Sequence, residues 1–189
     1  MARVILLLGG ARSGKSSLAE RWARERGGDR VLFVATAEPL DEEMRQRIER
    51  HQRSRPSSWR TVEAPTHVGP ALAQAYAGEK VVVLDCVTLW VGNVLLQEEA
   101  RGEENVREVM LQQVDALKQV VDTLPTELIL VSNEVGMGVV PPTRLGRLYR
   151  DLLGEVNQQL ARFADEVYLL VAGLPWRLKP AGGGPGDGT

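Results

Sequence analysis

The chain has 189 residues and a formal charge of −2, a length that suits one domain with a three-layer core. That charge gives no general reason to expect nucleic acid, whose usual protein footprint is a basic surface. A single cysteine, Cys86, excludes an internal disulfide and a cysteine metal site and fits a reducing compartment. No apolar run approaches the about 20 residues needed to cross a bilayer, and the N-terminal one is too short for a secretion signal. The expectation is a cytoplasmic protein without a membrane span.

Five large apolar residues, Val4 to Leu8, predict a strand buried on both faces. The next eight, Gly9, Gly10, Ala11, Arg12, Ser13, Gly14, Lys15 and Ser16, match the phosphate-binding loop G-x-x-x-x-G-K-[ST]. Glycines let successive N–H groups converge on an anion, and a helix starting near Lys15 adds its positive end. Lys15 would reach the β and γ phosphates of ATP or GTP, and the Ser16 hydroxyl would hold Mg²⁺. An ordinary strand-to-helix turn is the plain alternative. A strand before and a helix after favour the nucleotide.

Ser16–Arg26 reads as a helix with Leu18, Trp22 and Ala23 on one side, ended by Gly27 and Gly28. Val31–Ala35 is a second buried strand, and Thr36 and Ala37 follow at its carboxyl end, where open parallel sheets place ligands. Asp41 is expected to cap a helix with an acidic first turn, Glu42 and Glu43. Met44, Ile48 and His51 fall at i, i+4 and i+7, which puts His51 on the inward stripe among Arg47, Arg50, Arg53 and Arg55. An inward histidine is more often a core residue than a catalyst. Beside a triphosphate, however, arginines could hold phosphates near it.

Trp59–Ala64 is expected to be a short strand carrying Glu63, with room for an antiparallel member there, and His67–Ala77 a modest helix. Val81–Asp85 is the next buried strand, and its terminal acid suits the Walker B role of holding Mg²⁺ directly or through water. Thr88–Gln97 and Glu103–Thr123 read as helices, with a variable loop over Gln97–Asn105. A fourth buried strand, Leu128–Val131, delivers Ser132, Asn133 and Glu134 and then a Gly- and Pro-marked loop through Pro142. Thr143 can cap the next helix, whose stripe runs from Leu145 to Phe163. Glu166–Val171 is the last expected strand. Strands alternating with helices predict an α/β protein: a mostly parallel sheet with helices on both faces in a three-layer, RecA-like phosphate-loop NTPase fold. The expected organisation is one domain over 1–179 and a flexible Gly/Pro-rich tail over 180–189.

A GTPase switch would need an Asn-Lys-x-Asp guanine reader, and Asn133-Glu134-Val135-Gly136 lacks the Lys and the second acid. A non-catalytic nucleotide scaffold fits poorly with an intact Lys15, Ser16 and Asp85. A small-molecule kinase remains.

Several segments together resemble one family. They are Gly9–Ser16, Ala35–Ala37, Asp41–Met44 with Arg47, Ile48 and His51, Arg55-Pro56, and Trp59–Thr61 with Glu63. Leu84–Cys86 with Thr88–Trp90 and Asn93, and Ser132–Pro141, complete the set. The resemblance, over about residues 3–179, is to the bifunctional adenosylcobinamide kinase/adenosylcobinamide-phosphate guanylyltransferases of cobalamin biosynthesis. It implies that ATP or GTP phosphorylates the aminopropanol hydroxyl of adenosylcobinamide. It further implies that a histidine, here His51, takes GMP from GTP with loss of pyrophosphate and passes it to adenosylcobinamide phosphate. A neutral imidazole nitrogen is nucleophilic without a strong base, so the role is chemically sound. By the same resemblance, Gln52, Arg53, Ser54, Arg55, Glu63 and Asp85 join the GTP site, with Ala35, Thr36 and Ala37 beside them. His67 lies outside the matching motifs and reads as a surface or capping residue. The resemblance also suggests a homo-oligomer, with a trimer as one candidate, which could seat the corrinoid between subunits. Reaching both the γ and the α phosphorus implies a mobile His51 helix or a second GTP pose.

Overall fold

The structure, a computed structural model, describes residues 2–39 and 42–180. Asp41, expected to cap the His51 helix, and the tail from 181 onward lie outside the described residues, as do the side chains of Glu43, Arg47 and Ser54. The elements in order are β1 (Arg3–Gly9), α1 (Lys15–Gly27), β2 (Val31–Ala35), α2 (Glu42–Ser54), β3 (Arg60–Glu63), α3 (Val68–Ala75) and β4 (Val81–Asp85). Then come α4 (Val87–Glu98), α5 (Glu103–Thr123), β5 (Glu127–Val131), α6 (Arg144–Phe163), β6 (Glu166–Val171) and β7 (Leu174–Lys179).

The seven strands form one sheet in the order β3-β2-β4-β5-β1-β6-β7, parallel except for β7. Its strands are apolar on both sides because both sides are covered. Val4, Leu6, Leu32, Val34, Val82, Leu84 and Leu128 send one set of side chains toward α3, α4, α5 and α6, where Trp90, Met110 and Leu153 are fully buried. Ile5, Leu7, Val31, Phe33 and Ile129 face the other way, toward Leu18, Ala19 and Ala23 of α1. The helical layers are therefore unequal. The larger one includes a buried polar brace: Gln113 Oε1 accepts the Trp90 indole N–H at 2.9 Å and the His67 backbone N–H at 2.8 Å. His67 itself is exposed at the N-cap position of α3, without a side-chain cap bond.

Three expectations about elements need correction. The short strand around Trp59–Ala64 is β3, which pairs parallel to β2 and is not antiparallel. The antiparallel member is β7, at the opposite edge, which the sequence reading did not assign. A two-residue turn joins it to β6, with Ala172 at φ 51 and Gly173 at φ 82. Such turns usually carry Asn, Asp or Gly at the first position, so Ala172 concealed the hairpin. Pro175 argued against a strand as well, yet an edge position tolerates it. Finally, Gln97–Asn105 is not an open loop: α4 continues to Glu98, a 3-10 turn spans Glu99–Arg101, and α5 starts at Glu103 after Gly102.

Candidate functional site

The carboxyl ends of β1, β5, β4, β2 and β3 line up along one edge of the sheet, the edge where open parallel sheets bind ligands. At β1 the backbone turns through Gly9, φ 151, where a Cβ would stand 2.5 Å from the Leu170 carbonyl oxygen. Only glycine fits there. Gly14, φ 96, is the residue from which α1 departs. The next residue, Lys15, is 6% exposed and donates from Nζ to the Gly10 carbonyl at 2.6 Å and to Ser13 Oγ at 3.3 Å. The ammonium is thus folded over the concave face of the loop, the position from which it can exchange these oxygens for phosphate oxygens.

In front of the loop lies a cavity of about 640 Å³, lined by Ala11, Arg12, Ser13, Gly14, Lys15 and Ser16 on one side. Gln46, Arg50 and His51 of α2 form the facing wall, with Asp85, Cys86, Val131 and Asn133 at the floor. Residues far apart in sequence therefore share one chamber: the loop lysine, the β4 carboxylate and His51. A narrower recess of about 70 Å³ adjoins it, and Ser16, His51, Asp85 and Cys86 border both. The recess is walled by Phe33, Ala35, Ala37, Met44, Ile48 and Leu89, with Gln52, Arg55 and Glu63 as its polar groups. An apolar lining with a few placed polar groups is the general chemistry of small-molecule sites.

Arg55 closes this recess in an unusual way. Its guanidinium carbon lies 3.5 Å from the centroid of the Phe33 ring, and Nε and Nη1 are buried without a hydrogen-bond partner. Burial lowers its pKa from the ordinary arginine value, while the carboxylates of Glu20 and Asp85 pull the other way. A buried cation with donors to spare is stabilised by an anionic or carbonyl-bearing ligand.

Two hydrogen-bond assemblies fix the chamber floor. Thr36, fully buried, donates its hydroxyl to the Cys86 carbonyl at 2.7 Å and accepts the Cys86 N–H at 2.8 Å. Asn93 of α4 donates to the carbonyls of Thr36 at 2.8 Å and Pro65 at 3.0 Å, tying the ends of β2 and β3 together. The second assembly holds Asn133. Its N–H donates to Thr88 Oγ1 at 2.8 Å, and its carbonyl accepts from Asn157 Nδ2 at 3.0 Å. Asn157 Oδ1 in turn accepts the hydroxyl of fully buried Ser132 at 2.6 Å, and Tyr149 donates to the Thr88 carbonyl at 3.2 Å. Burial, with a smaller contribution from Cys86, pushes the Tyr149 phenol up to about 12, so it stays a donor.

Most residues singled out in the sequence line one or both cavities. Gly9 and Gly10 shape the loop and line neither. Thr36 lines neither as well, because its side chain is consumed by the Cys86 peptide. Arg53 also points elsewhere, pairing with Glu49 at 3.2 Å on an exposed helix face. Phe33 and Leu89 are lining residues that sequence reading missed, since nothing distinguishes them from neighbouring core residues. Ser16 and Asp85 supply one hydroxyl and one carboxylate to the same space. Among the described residues no group of three His, Cys, Asp or Glu could hold a metal alone. That donor set fits Mg²⁺, a hard cation that keeps several waters and is shared with substrate phosphates.

Comparison with known proteins bears on the fold and the family. The solved structure of flagellar accessory protein FlaH from Methanocaldococcus jannaschii superposes with a TM-score of 0.52 at 15% identity, covering 95% of this chain and 79% of that one. At that identity the likeness is one of fold, the expected three-layer, RecA-like arrangement. Bifunctional adenosylcobalamin biosynthesis protein CobU of Escherichia coli is 40% identical over 182 residues, 93% of this chain and 99% of that protein. The CobP protein of Pseudomonas aeruginosa, with the same bifunctional description, is 42% identical over 174 residues, covering 92% and 96%. Residues 5–178 match the family described as cobinamide kinase / cobinamide phosphate guanyltransferase, and the chain belongs to that family.

Proposed function

We propose that this chain phosphorylates adenosylcobinamide with ATP or GTP and then transfers GMP from GTP, through His51, to adenosylcobinamide phosphate. The observation that carries the reading is that His51 and the phosphate loop line one cavity. In the kinase step, Gly14 and its neighbours cradle the phosphates and Lys15 neutralises charge on the transferring group. Ser16 and Asp85 would hold Mg²⁺, which supplies further charge neutralisation on the phosphate oxygens.

In the guanylyl step, an imidazole nitrogen of His51 forms a bond to the α-phosphorus, and the bond to the β-phosphate bridging oxygen breaks. Pyrophosphate departs with the electron pair. The phosphate oxygen of adenosylcobinamide phosphate then attacks the same phosphorus, and the histidine nitrogen leaves. Arg50, which lines the same cavity as His51, would neutralise the departing pyrophosphate. The apolar recess with Glu63, Gln52 and Arg55 suits the guanine ring and ribose. Because His51 borders both spaces, a modest shift of α2 or of the nucleotide would serve both reactions. The reading further assigns residues 1–179 to one catalytic unit with an appended tail, in a cytoplasmic homo-oligomer. Among the described residues no helix is long and apolar enough to cross a membrane.

GTP labelled at the α-phosphate tests the covalent step. Incubated with the protein and Mg²⁺, it should leave acid-labile, alkali-stable label on the denatured chain, and His51→Ala should abolish that label while retaining kinase turnover. Label that persists in His51→Ala would sink the assignment.

A further inference from the structure

Sheet order places β5 between β1, which carries the phosphate loop, and β4, which ends in Asp85. Neighbouring strands lie about 4.8 Å apart, so the chain leaving β5 stands between the lysine and the carboxylate. That stretch is Val131-Ser132-Asn133, and both Val131 and Asn133 line the large cavity. Asn133 is held with unusual care. Its N–H and its carbonyl are each taken by a side chain, Thr88 from α4 and Asn157 from α6. The flanking residues are pinned too: Ser132 N–H donates to the Leu7 carbonyl at 2.9 Å and Glu134 N–H to the Gly9 carbonyl at 3.0 Å.

This arrangement has a cost that packing alone does not explain. Ser132, Thr88 and Asn157 are polar groups at 8% exposure or less in a mostly apolar layer, where a leucine-like side chain would bury more apolar surface. Thr88 and Asn157 bond the Asn133 backbone directly and Ser132 braces Asn157, so these bonds do not use the carboxamide of Asn133, a residue that lines the cavity. Rigid support behind a single polar side chain is what a transferring group requires, because catalysis by positioning fails when the donor is loosely held.

We propose that the Asn133 carboxamide is a catalytic residue of the kinase step, donating from Nδ2 to an oxygen of the γ-phosphoryl group as it moves. The substrate hydroxyl oxygen forms the new bond to phosphorus, the β–γ bridging bond breaks, and the nucleoside diphosphate leaves with the electron pair. The hydroxyl proton passes to water; Asn133 takes no proton. Thr88 and Asn157 are positioning residues acting through it. His51 lines the same cavity but belongs to α2, which follows β2 on the far side of β4 from β5, and the proposal gives this donor to the kinase step alone. The assignment rests on the two-reaction reading above and divides it by residue.

The test measures both reactions in Asn133→Ala, with adenosylcobinamide as acceptor and GTP labelled at the γ- or the α-phosphate. Kinase kcat should fall about 100-fold, in the range found for loss of one transition-state donor, with nucleotide KM and label on His51 each within about threefold. Guanylyl label on the variant also reports that it has folded. Should Asn133→Ala fail to fold, Thr88→Val keeps the carboxamide but loses its support and should lower kinase kcat about tenfold at unchanged nucleotide KM. An unchanged kinase kcat, or kinase and guanylyl rates falling together, would overturn the proposal. A kinase-inactive unmodified chain would overturn the two-reaction reading as well, which an active chain with an unaffected Asn133→Ala would not.

Discussion

The two walls of the cavity are built by opposite means. The phosphate-loop wall is an outgrowth of the core: β1 has four consecutive buried residues, and α1 rests Leu18, Ala19 and Ala23 on the sheet. The loop backbone is also tied to the β6–β7 turn, where Gly173 N–H donates to the Ser13 carbonyl at 3.0 Å. The facing wall, α2, has only Met44, Ile48 and His51 half-buried among its described residues, and none fully buried. Its remaining described side chains are exposed, some in local ion pairs such as Arg45 with Glu42 and Arg53 with Glu49. Exposed pairs of that kind contribute about 0.3–0.5 kcal/mol each. The loop is thus built into the fold, whereas His51, the proposed nucleophile, rides on a helix with few described residues buried against the core. A helix so placed can approach either phosphorus without disturbing the core.

Hydrogen exchange gives the largest expected contrast. Amides of α2 should exchange on the order of 100-fold faster than those of α1, with GTP and Mg²⁺ slowing α2 far more than α1. Equal protection of both helices without nucleotide would remove the mobile-wall explanation and leave a second GTP pose to account for both reactions.

Arg55 sharpens the comparison, because it joins the loose wall to the core at Phe33. Arg55→Met keeps the length and apolar contact while deleting a buried charge whose Nε and Nη1 lack partners. The variant should keep or gain thermal stability, yet raise the KM for GTP in guanylylation about tenfold. A marked fall in melting temperature with unaltered KM would show the guanidinium to be structural.

The smallest effect is expected at the far edge, away from both walls. Burial opposes ionisation of Glu166, but the Tyr168 hydroxyl and the guanidinium groups of Arg3 and Arg177 outweigh it and hold its carboxyl below the ordinary range. Such a group contributes stability above its unfolded pKa of about 4.3 and loses it as pH falls through the lower folded value. Arg3 and Arg177 are about half exposed, so solvent screening limits the contribution to about 1 kcal/mol. Glu166→Gln should lower the melting temperature by a few degrees at pH 7 and flatten its decline in acid. Neither kinase nor guanylyl rate should change.

Most of the sheet was legible in the chain because strands buried on both sides are nearly pure apolar runs, as in Val31–Ala35 and Val81–Asp85. The hairpin strand β7 was not, since an edge strand needs no such purity and its six residues are almost all exposed. Within the site, the loop residues were legible as a motif whose function lies in local backbone geometry. His51 was legible as an inward position on a helix, and its partners across the cavity were not.

What the sequence determined, then, was what spacing along one segment can encode: the phosphate loop, the acid ending β4, the apolar stripes and the family resemblance. Tertiary structure alone decided which of these groups share a cavity, because sheet order is set by crossovers between distant strands. It brought His51 opposite Lys15, turned Thr36 inward to Cys86 and Arg53 outward to Glu49. It also set Asn133 between the phosphate loop and Asp85. A side chain's partners depend on which strands lie adjacent, and local composition carries no record of that.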